Sequence, residues 1–321
     1  MAEVKPLDLG PQYAQDDPFT RRMRLHQSWW RASQLDVACG VGPHATSPKR
    51  YGNMLTDEDG ARGKNFLTPE IAEYAIQRQR EFARGIKRHR LLCNLLSSQP
   101  MCFNLFAPLA IDAAMARPLA AAMFEGLDLG RVVRVVVEHE PEPRAEHLDD
   151  ATSFDAFLEV ENADGAVGFV AIETKLTEPF SQTRYPIAAG SVYRRWIDHD
   201  RGLWQVAAAA ALEALEVNQL FRDQALAFAA LLRPGSAYTF GAMAVVRHPG
   251  DPVCETSLAT YRRLLRPGAD AEVPLIDLPL DHVVRRLRPV VAGTGWASWL
   301  DAFDRRYVDL ERSAGLVSQV R

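Results

Sequence analysis

The hydrophobic positions of this chain first recur with helical spacing and later change to the pattern of strands. Residues 15–36 place apolar side chains on one face, which predicts an amphipathic helix. A second helix is predicted from Pro69 to Leu96, because Thr68 is a favoured N-cap and proline fits the first helical position. Ser97–Pro100 is expected to break this helix, and a third is predicted from about Met101 to Phe124.

The centre of the chain predicts three consecutive strands, a helix and a further strand. Arg131–His139 is dense in β-branched residues, and Phe154–Glu161 alternates between apolar and polar positions. Val167–Leu176 is more continuously apolar, which is typical of a strand at the centre of a sheet. An irregular stretch then leads into a helix predicted at Leu203–Leu232, followed by a strand at Tyr238–Val246.

A hairpin signal joins the second and third predicted strands. The loop Ala163–Gly165, with its glycine in the left-handed conformation, would place Asn162 opposite Ala166. Counting back from this pair places Asp155 opposite Glu173. A two-residue Asp-Gly loop is the alternative, and it would send the two acidic side chains to different faces.

Composition narrows the class of protein. The chain has 321 residues, 47% hydrophobic and 24% charged, which suffices for one large domain or two small ones. Its longest apolar stretches fall far short of the roughly 20 residues of a membrane span. Met1–Asp17 contains acids and prolines but no apolar signal core, so a cytoplasmic location is expected.

The charge and the spacing of possible metal ligands further limit the class of protein. A net charge of −4 disfavours indiscriminate coating of nucleic acid, although arginine runs such as 84–90 fit either phosphate-binding or solvated helix faces. The four cysteines lack Cys-X-X-Cys spacing and the eight histidines lack metal-ligand spacing. The cysteines are therefore expected to be buried thiols rather than zinc ligands. The chain also lacks a phosphate-binding loop of the ATPase type.

The most informative motif is Glu173-Thr174-Lys175, at the end of the third predicted strand. Acid-X-lysine is the spacing of metal-dependent phosphodiesterase sites. Of 37 basic Lys and Arg residues only five are lysines, and Lys175 is the last of them. A lysine retained against this background suggests a need for a compact ammonium rather than a guanidinium.

The order of elements and these residues together resemble the PD-(D/E)XK nuclease superfamily. The resemblance covers roughly residues 100–250, in the order αβββαβ, with Asp155 and Glu173-Thr174-Lys175 at the motif positions. Phe154 stands where the family name has proline. The resemblance implies a restriction-endonuclease-like α/β core with a mixed central sheet. Its expected limits are residues 97–250, between helical regions at 1–96 and 251–321.

The resemblance also implies a chemistry. Asp155 and Glu173 would bind Mg²⁺ or Mn²⁺, with the backbone carbonyl of Thr174 as a third oxygen ligand. Lys175 would position the attacking water or stabilise charge in the transition state. The expected activity is hydrolysis of phosphodiester bonds, with DNA as the favoured substrate.

Four further residues are weaker candidates. Glu138, or its neighbour Glu140, would approach Asp155 across an antiparallel meander, although a solvated strand end fits equally. Glu81 is an alternative outer acid. Gln219 and Arg222 share a helix face, and in several members of the superfamily a glutamine on this helix lies near the active site.

Three other interpretations stay open. In the simplest, Asp155 and Glu173 are ordinary strand positions with Lys175 as their salt-bridge partner. In another, the fold is a non-catalytic module that binds nucleic acid or protein. In the last, the site hydrolyses a different phosphoester. A double-strand cut would favour a homodimer, because one such site cuts one strand.

Overall fold

The computed structural model describes residues 7–43 and 48–319, so the first six residues of the N-terminal segment considered above lie outside it. The chain forms two compact units, one from Met1–Ile111 with Val284–Arg321 and the other from Asp112–Val283. Both ends of the chain thus belong to the same unit. The three-segment division with limits at residues 96 and 250 stays a prediction.

Twelve α-helices lie in the described part of the chain. In chain order they are α1 (Pro18–Trp30), α2 (Asp57–Ala61), α3 (Pro69–Glu81), α4 (Arg88–Cys93), α5 (Ser98–Ile111), α6 (Ala113–Met123), α7 (Val192–Ile197), α8 (Ala209–Leu212), α9 (Leu215–Leu232), α10 (Pro252–Arg262), α11 (Leu280–Val291) and α12 (Ala297–Tyr307). A π-helical turn extends α1 over Arg31–Leu35, as the amphipathic pattern of residues 15–36 predicts. Among the described residues, no helix is long and apolar enough to cross a membrane.

Five strands form one mixed sheet in the second unit. They are β1 (Arg131–His139), β2 (Phe154–Glu161), β3 (Val167–Lys175), β4 (Phe240–Arg247) and β5 (Leu275–Pro279). The sheet order follows the chain order. β1, β2 and β3 are antiparallel, whereas β3, β4 and β5 are parallel. β3 is central, as its continuous apolar sequence predicts.

The hairpin register agrees with the three-residue loop. Gly165 has φ +80°, and the Asn162 N–H donates to the Ala166 carbonyl at 3.0 Å. The ladder continues to the pair Ala156 and Ile172, so the next positions place Asp155 opposite Glu173. The sequence-based register is therefore confirmed.

The prediction of one continuous helix from Pro69 to Leu96 is wrong, because the chain leaves the helical conformation in the middle of this range. α3 ends at Glu81 and α4 begins only at Arg88. Gly85 lies between them against the Phe82 ring, where an added Cβ would meet a ring carbon at 2.1 Å. Glycine in a helix interior costs about 1 kcal/mol relative to alanine, which favours a break here. The break expected at Ser97–Pro100 lies earlier in the chain, since α4 ends at Cys93 and α5 begins at Ser98 and accommodates the proline in its first turn.

The other two long predicted helices are divided by polar side chains that bond the backbone. Asp112 accepts hydrogen bonds from the N–H groups of Ala114 and Met115, so it ends α5 and caps α6. Asn218 donates to the Leu212 carbonyl at 3.0 Å, which ends α8 and leaves α9 to begin at Leu215. Such local bonds compete with the helical ladder.

The region 251–321, expected to be helical, also contributes β5. Its five residues extend the sheet through parallel pairs such as Val245 with Asp277. A strand this short has too few positions for a period to be read from sequence.

A buried hydrogen-bond chain fixes α9 against the second unit's core. The Trp204 indole donates to the Tyr261 hydroxyl at 2.8 Å, and this hydroxyl donates to Gln224 at 2.6 Å. Gln224 in turn donates to the Val273 carbonyl at 2.8 Å. All four residues are fully or almost fully buried, so the rotation of α9 is set by satisfied polar groups as well as by packing.

The first unit is held together around a buried arginine, Arg306 on α12. Its guanidinium donates to the Asn65 carbonyl at 2.7 Å, to the Asn65 side chain at 2.6 Å and to Gln27 at 3.2 Å. Burial lowers the pKa of Arg306, and neutral oxygens satisfy its donors. This arrangement joins α1 and α12 to the segment that precedes α3.

Gly165→Ala is expected to destabilise the protein by about 1–2 kcal/mol, because an L side chain is strained in the left-handed conformation. The measurement is urea unfolding followed by circular dichroism. Asp164→Ala, in the same exposed loop, should change stability by less than about 0.5 kcal/mol. Equal stability of Gly165→Ala and the unmodified protein would contradict the hairpin geometry.

Candidate active site

Asp155 and β3 are joined at the end of the hairpin. Asp155 is half-buried, and its Oδ2 accepts a hydrogen bond from the Thr174 N–H at 2.8 Å and another from the Thr174 hydroxyl at 2.7 Å. The carboxylate of Asp155 thereby accepts a backbone N–H just beyond the last regular pair of β2 and β3. Its carboxylate is fixed at the edge of the strand beside Glu173.

Glu173 and Lys175 form a buried ion pair on one face of β3. The Lys175 Nζ lies 2.9 Å from Glu173 Oε1, and both side chains are less than 10% exposed. The ammonium also lies 4.8 Å from the centre of the Phe180 ring. Burial of both charges makes their separation costly, so this pair is held in one geometry.

Gln219 on α9 links the members of this ion pair through its amide. Its Nε2 donates to Glu173 Oε1 at 2.7 Å, and its Oε1 accepts from Lys175 Nζ at 3.2 Å. The same Oε1 accepts from the Ser181 N–H at 2.6 Å. Because Lys175 and Ser181 donate whereas Glu173 accepts, the amide oxygen must face the first two and the amide nitrogen must face Glu173. The structure thus brings Gln219, Glu173 and Lys175 into one network.

The electrostatics of the pair reflect its burial. Burial, with a contribution from the neighbouring Asp155 carboxylate, raises the pKa of Glu173 above that of an ordinary carboxyl group, although Lys175 opposes the shift. Burial acts to lower the pKa of Lys175, but the attraction of Glu173 outweighs it and raises the pKa. Lys175 therefore stays charged at neutral pH, and negative charge on Glu173 is costly without a further cation.

Asp223 is a member of this neighbourhood that sequence reasoning missed. It follows Gln219 by four residues on α9, so the two share a helix face. Its side chain is only 1% exposed, and its Oδ2 has no hydrogen-bond partner among the described residues. Burial, followed by the charge of Glu173, raises its pKa well above the ordinary value. Its spacing of four residues from Gln219 is the sequence signal that could have identified Asp223 as a neighbour of the site.

Arg222 lies beside the site rather than in the Gln219 network. It is buried, and it donates to the Thr152 hydroxyl at 2.8 Å. Its guanidinium lies 4.4 Å from the centre of the Tyr185 ring. Tyr185 is itself fixed by Asn218, which accepts its N–H at 3.1 Å. Arg222 therefore connects α9 to the loops before β2 and after β3.

The three remaining acidic candidates have different surroundings. Glu138 is buried and lies across from Asp155, between the pairs Val137–Ala156 and His139–Phe154, with an unusual φ of 59°. Glu140 is paired with Arg144. Glu81 belongs to the first unit, where its exposed carboxylate accepts hydrogen bonds from Gln77 and Arg78 of its own helix.

A family model described as the PD-(D/E)XK nuclease superfamily matches residues 14–309, nearly the whole chain. The protein belongs to this superfamily, and its mixed sheet with flanking helices is the restriction-endonuclease-like fold. A search of curated proteins and a search of solved structures found no match. Membership indicates a nuclease-type hydrolase of a kind that generally uses divalent metal ions.

Asp223→Asn is expected to stabilise the metal-free protein at neutral pH by about 1–2 kcal/mol. The raised pKa means that the folded state binds this proton more tightly than the unfolded chain does. The carboxylate therefore reduces stability increasingly as pH rises above about 3.9, and the gain from the substitution should vanish below that pH.

The measurement is urea unfolding in EDTA at several pH values. Asp164→Asn, a change in the exposed hairpin loop, is the control and should leave stability unchanged at every pH. A loss of stability in Asp223→Asn at neutral pH would show that the aspartate is a favourable charge in the folded protein.

Proposed function

We propose that this protein is a Mg²⁺-dependent phosphodiesterase that hydrolyses DNA, with Asp155, Glu173 and Lys175 as its catalytic residues. The observation that carries the proposal is the buried network in which Gln219 bridges Glu173 and Lys175 beside Asp155. Ordinary surface strand positions with a salt bridge would be solvated, whereas the side chains of Glu173 and Lys175 are buried. Burial of charges at this cost is typical of a functional site.

The donor set fits a hard divalent cation. Asp155, Glu173 and Asp223 bring three carboxyl groups near two basic side chains, Lys175 and Arg222. A fully ionised cluster would carry excess negative charge, and in the described part of the chain a buried oxygen of Asp223 has no hydrogen-bond donor. Mg²⁺ and Mn²⁺ prefer such oxygen ligands.

We assign Asp155 and Glu173 as the metal ligands, together with the backbone carbonyl of Thr174. In a β-strand the N–H and C=O of one residue point toward the same neighbouring strand. Because the Thr174 N–H donates to Asp155, its carbonyl is directed to the same side. When bound there, the ion supplies Lewis-acid polarisation of a phosphate and a more acidic water.

The protein's own residues have distinct roles in this proposal. Lys175 stabilises negative charge on the phosphate or orients the attacking water, and it stays protonated because of Glu173. Gln219 is a positioning residue, since its amide fixes the ammonium and the carboxylate relative to each other. Arg222 positions the loops on either side of the site.

The proposal extends to the substrate, the oligomeric state and the location of the protein. A phosphodiester of DNA is the proposed substrate by membership of the superfamily. If the protein makes double-strand cuts, it does so as a homodimer, because one site cuts one strand. Four free, buried cysteines suit the reducing cytoplasm, which we propose as its location.

Glu173→Gln and Lys175→Ala are each expected to reduce Mg²⁺- or Mn²⁺-dependent DNA cleavage by at least about 100-fold, because each removes charge stabilisation in the transition state. Cleavage of supercoiled plasmid, single-stranded DNA and RNA measures the effect. The matched controls are Glu161→Gln on β2 and Lys64→Ala in the first unit, neither of which is in the network. Both controls should cleave at the unmodified rate.

Unchanged cleavage by both site variants would refute the assignment of residues. Cleavage of RNA but not of DNA would show that RNA is the substrate. Binding of nucleic acid that weakens steeply with salt, without cleavage of any substrate, would favour the non-catalytic module instead.

Metal binding provides a test that does not depend on activity. Glu173→Gln is expected to weaken Mn²⁺ binding at least about tenfold, measured by calorimetry or by the loss of the free-ion paramagnetic resonance signal. Because the pKa of Glu173 is raised, metal binding to the unmodified protein must displace a proton and should strengthen as pH rises beyond the ordinary carboxyl range. Glu161→Gln should keep the unmodified affinity and pH dependence.

A further inference from the structure

A second group of metal-ligating side chains lies in the first unit, and none of its members belongs to the nuclease network. Asp57 is the first residue of α2, and His89 and Cys93 are four residues apart on one face of α4. One ligand atom from each of the three lies within 4.8 Å of the others. Asp57 is exposed, His89 half-buried and Cys93 buried, so the group extends from the surface inward.

The imidazole of His89 is held in the form that a metal requires. Its Nε2 lies 3.1 Å from the Val41 carbonyl oxygen. A carbonyl only accepts, so Nε2 carries a proton, and in the neutral imidazole Nδ1 then carries the lone pair. Nδ1 is buried and has no hydrogen-bond partner within the described part of the chain. Metal-bound histidines typically donate their other N–H to a carbonyl in this way.

The spacing of the other two ligands fits a tetrahedral ion. Cys93 Sγ lies 3.7 Å from Asp57 Oδ1 and 3.8 Å from the Thr56 carbonyl oxygen. Typical zinc–sulfur and zinc–oxygen bond lengths at the tetrahedral angle separate the two ligand atoms by about 3.5 Å. The sulfur of Cys93 and the carboxylate oxygen of Asp57 therefore need to move by only a few tenths of an ångström.

A role for Cys93 as a nucleophile or redox thiol is disfavoured. Burial and the neighbouring Asp57 raise the pKa of this thiol to about 12, so no thiolate is available at neutral pH. A bound divalent ion, in contrast, deprotonates a coordinating thiol outright. The environment that suppresses ordinary cysteine reactivity is compatible with metal binding.

We propose that Asp57, His89 and Cys93 form a binding site for a zinc-class divalent ion, with its fourth position open to water. The sulfur, nitrogen and oxygen set selects a borderline ion such as Zn²⁺ rather than Mg²⁺. A groove of about 410 Å³, lined in part by Arg50, Thr56, Asp57 and His89, provides access from solvent.

Such an ion would cross-link two short elements of the first unit. α2 has only five residues and α4 only six, too few to be stable helices by themselves. Coordination would tie Asp57 at the start of α2 to the face of α4. Cys93 is a buried thiol, as the sequence predicts, and the proposal adds a role as a metal ligand. The proposal is independent of the proposed nuclease site.

The test is uptake of Zn²⁺ and Co²⁺ by the purified full chain after removal of metal. We expect one equivalent of Zn²⁺, and a thiolate-to-cobalt charge-transfer absorption when Co²⁺ replaces it. Cys93→Ser and His89→Gln should each weaken uptake at least about 100-fold, and Cys93→Ser should abolish the charge-transfer band. Cys254→Ser, which removes another buried thiol, should behave like the unmodified protein.

Asp155→Asn serves as the reference for the other site, and it should also keep its full equivalent of Zn²⁺. Circular dichroism establishes that each variant is folded, and His89→Gln tests the site if Cys93→Ser fails to fold. Absence of uptake by the unmodified protein would overturn the proposal, as would a charge-transfer band that persists in Cys93→Ser. Loss of uptake in Asp155→Asn alone would assign the ion to the nuclease site instead.

Discussion

The candidate active site depends on the antiparallel register between β2 and β3. Side chains alternate between the faces of a strand, so a slip of one residue would turn Asp155 away from Glu173. The left-handed Gly165 and the Asn162–Ala166 pair fix this register at the hairpin. Asp155 then bonds the backbone of Thr174 where the ladder stops. Local turn chemistry several residues away thus positions the carboxylates.

Several charged side chains are buried together around Glu173, and the neutral amide of Gln219 connects two of them. The Gln219 amide offers a donor to the carboxylate and an acceptor to the ammonium, so each ion gains a partner without adding charge. The buried oxygen of Asp223 gains no such partner from the residues that the structure describes. An imbalance of this kind reduces the stability of the empty protein and favours a bound cation. In the proposed function, the loss of folding stability and the affinity for metal therefore have the same physical cause.

Two buried polar clusters, one in each unit, satisfy their charged groups in different ways. In the first unit, Arg306 is surrounded by neutral oxygens from Asn65 and Gln27, so its charge is satisfied without a carboxylate. In the second unit, carboxylates and basic groups are buried together. The first arrangement is complete by itself and organises packing. The second leaves an unsatisfied oxygen, which is the property expected of a binding site.

The sequence predicts the order of β1 to β4, the hairpin register and the proximity of Glu173 and Lys175, because these depend on strand period and local turn residues. It also pointed to Gln219 through the resemblance to the superfamily. It failed where polar side chains divide helices, as at Asp112 and Asn218, and where β5 forms only by pairing with β4.

Folding of the whole chain is needed to bury Asp223 beside Glu173 and to bring His89 and Cys93 close to Asp57. Burial and proximity of these groups arise from the packing of elements distant in the chain. No local period or turn signal encodes such contacts, because the same side chains on an isolated helix would be solvated.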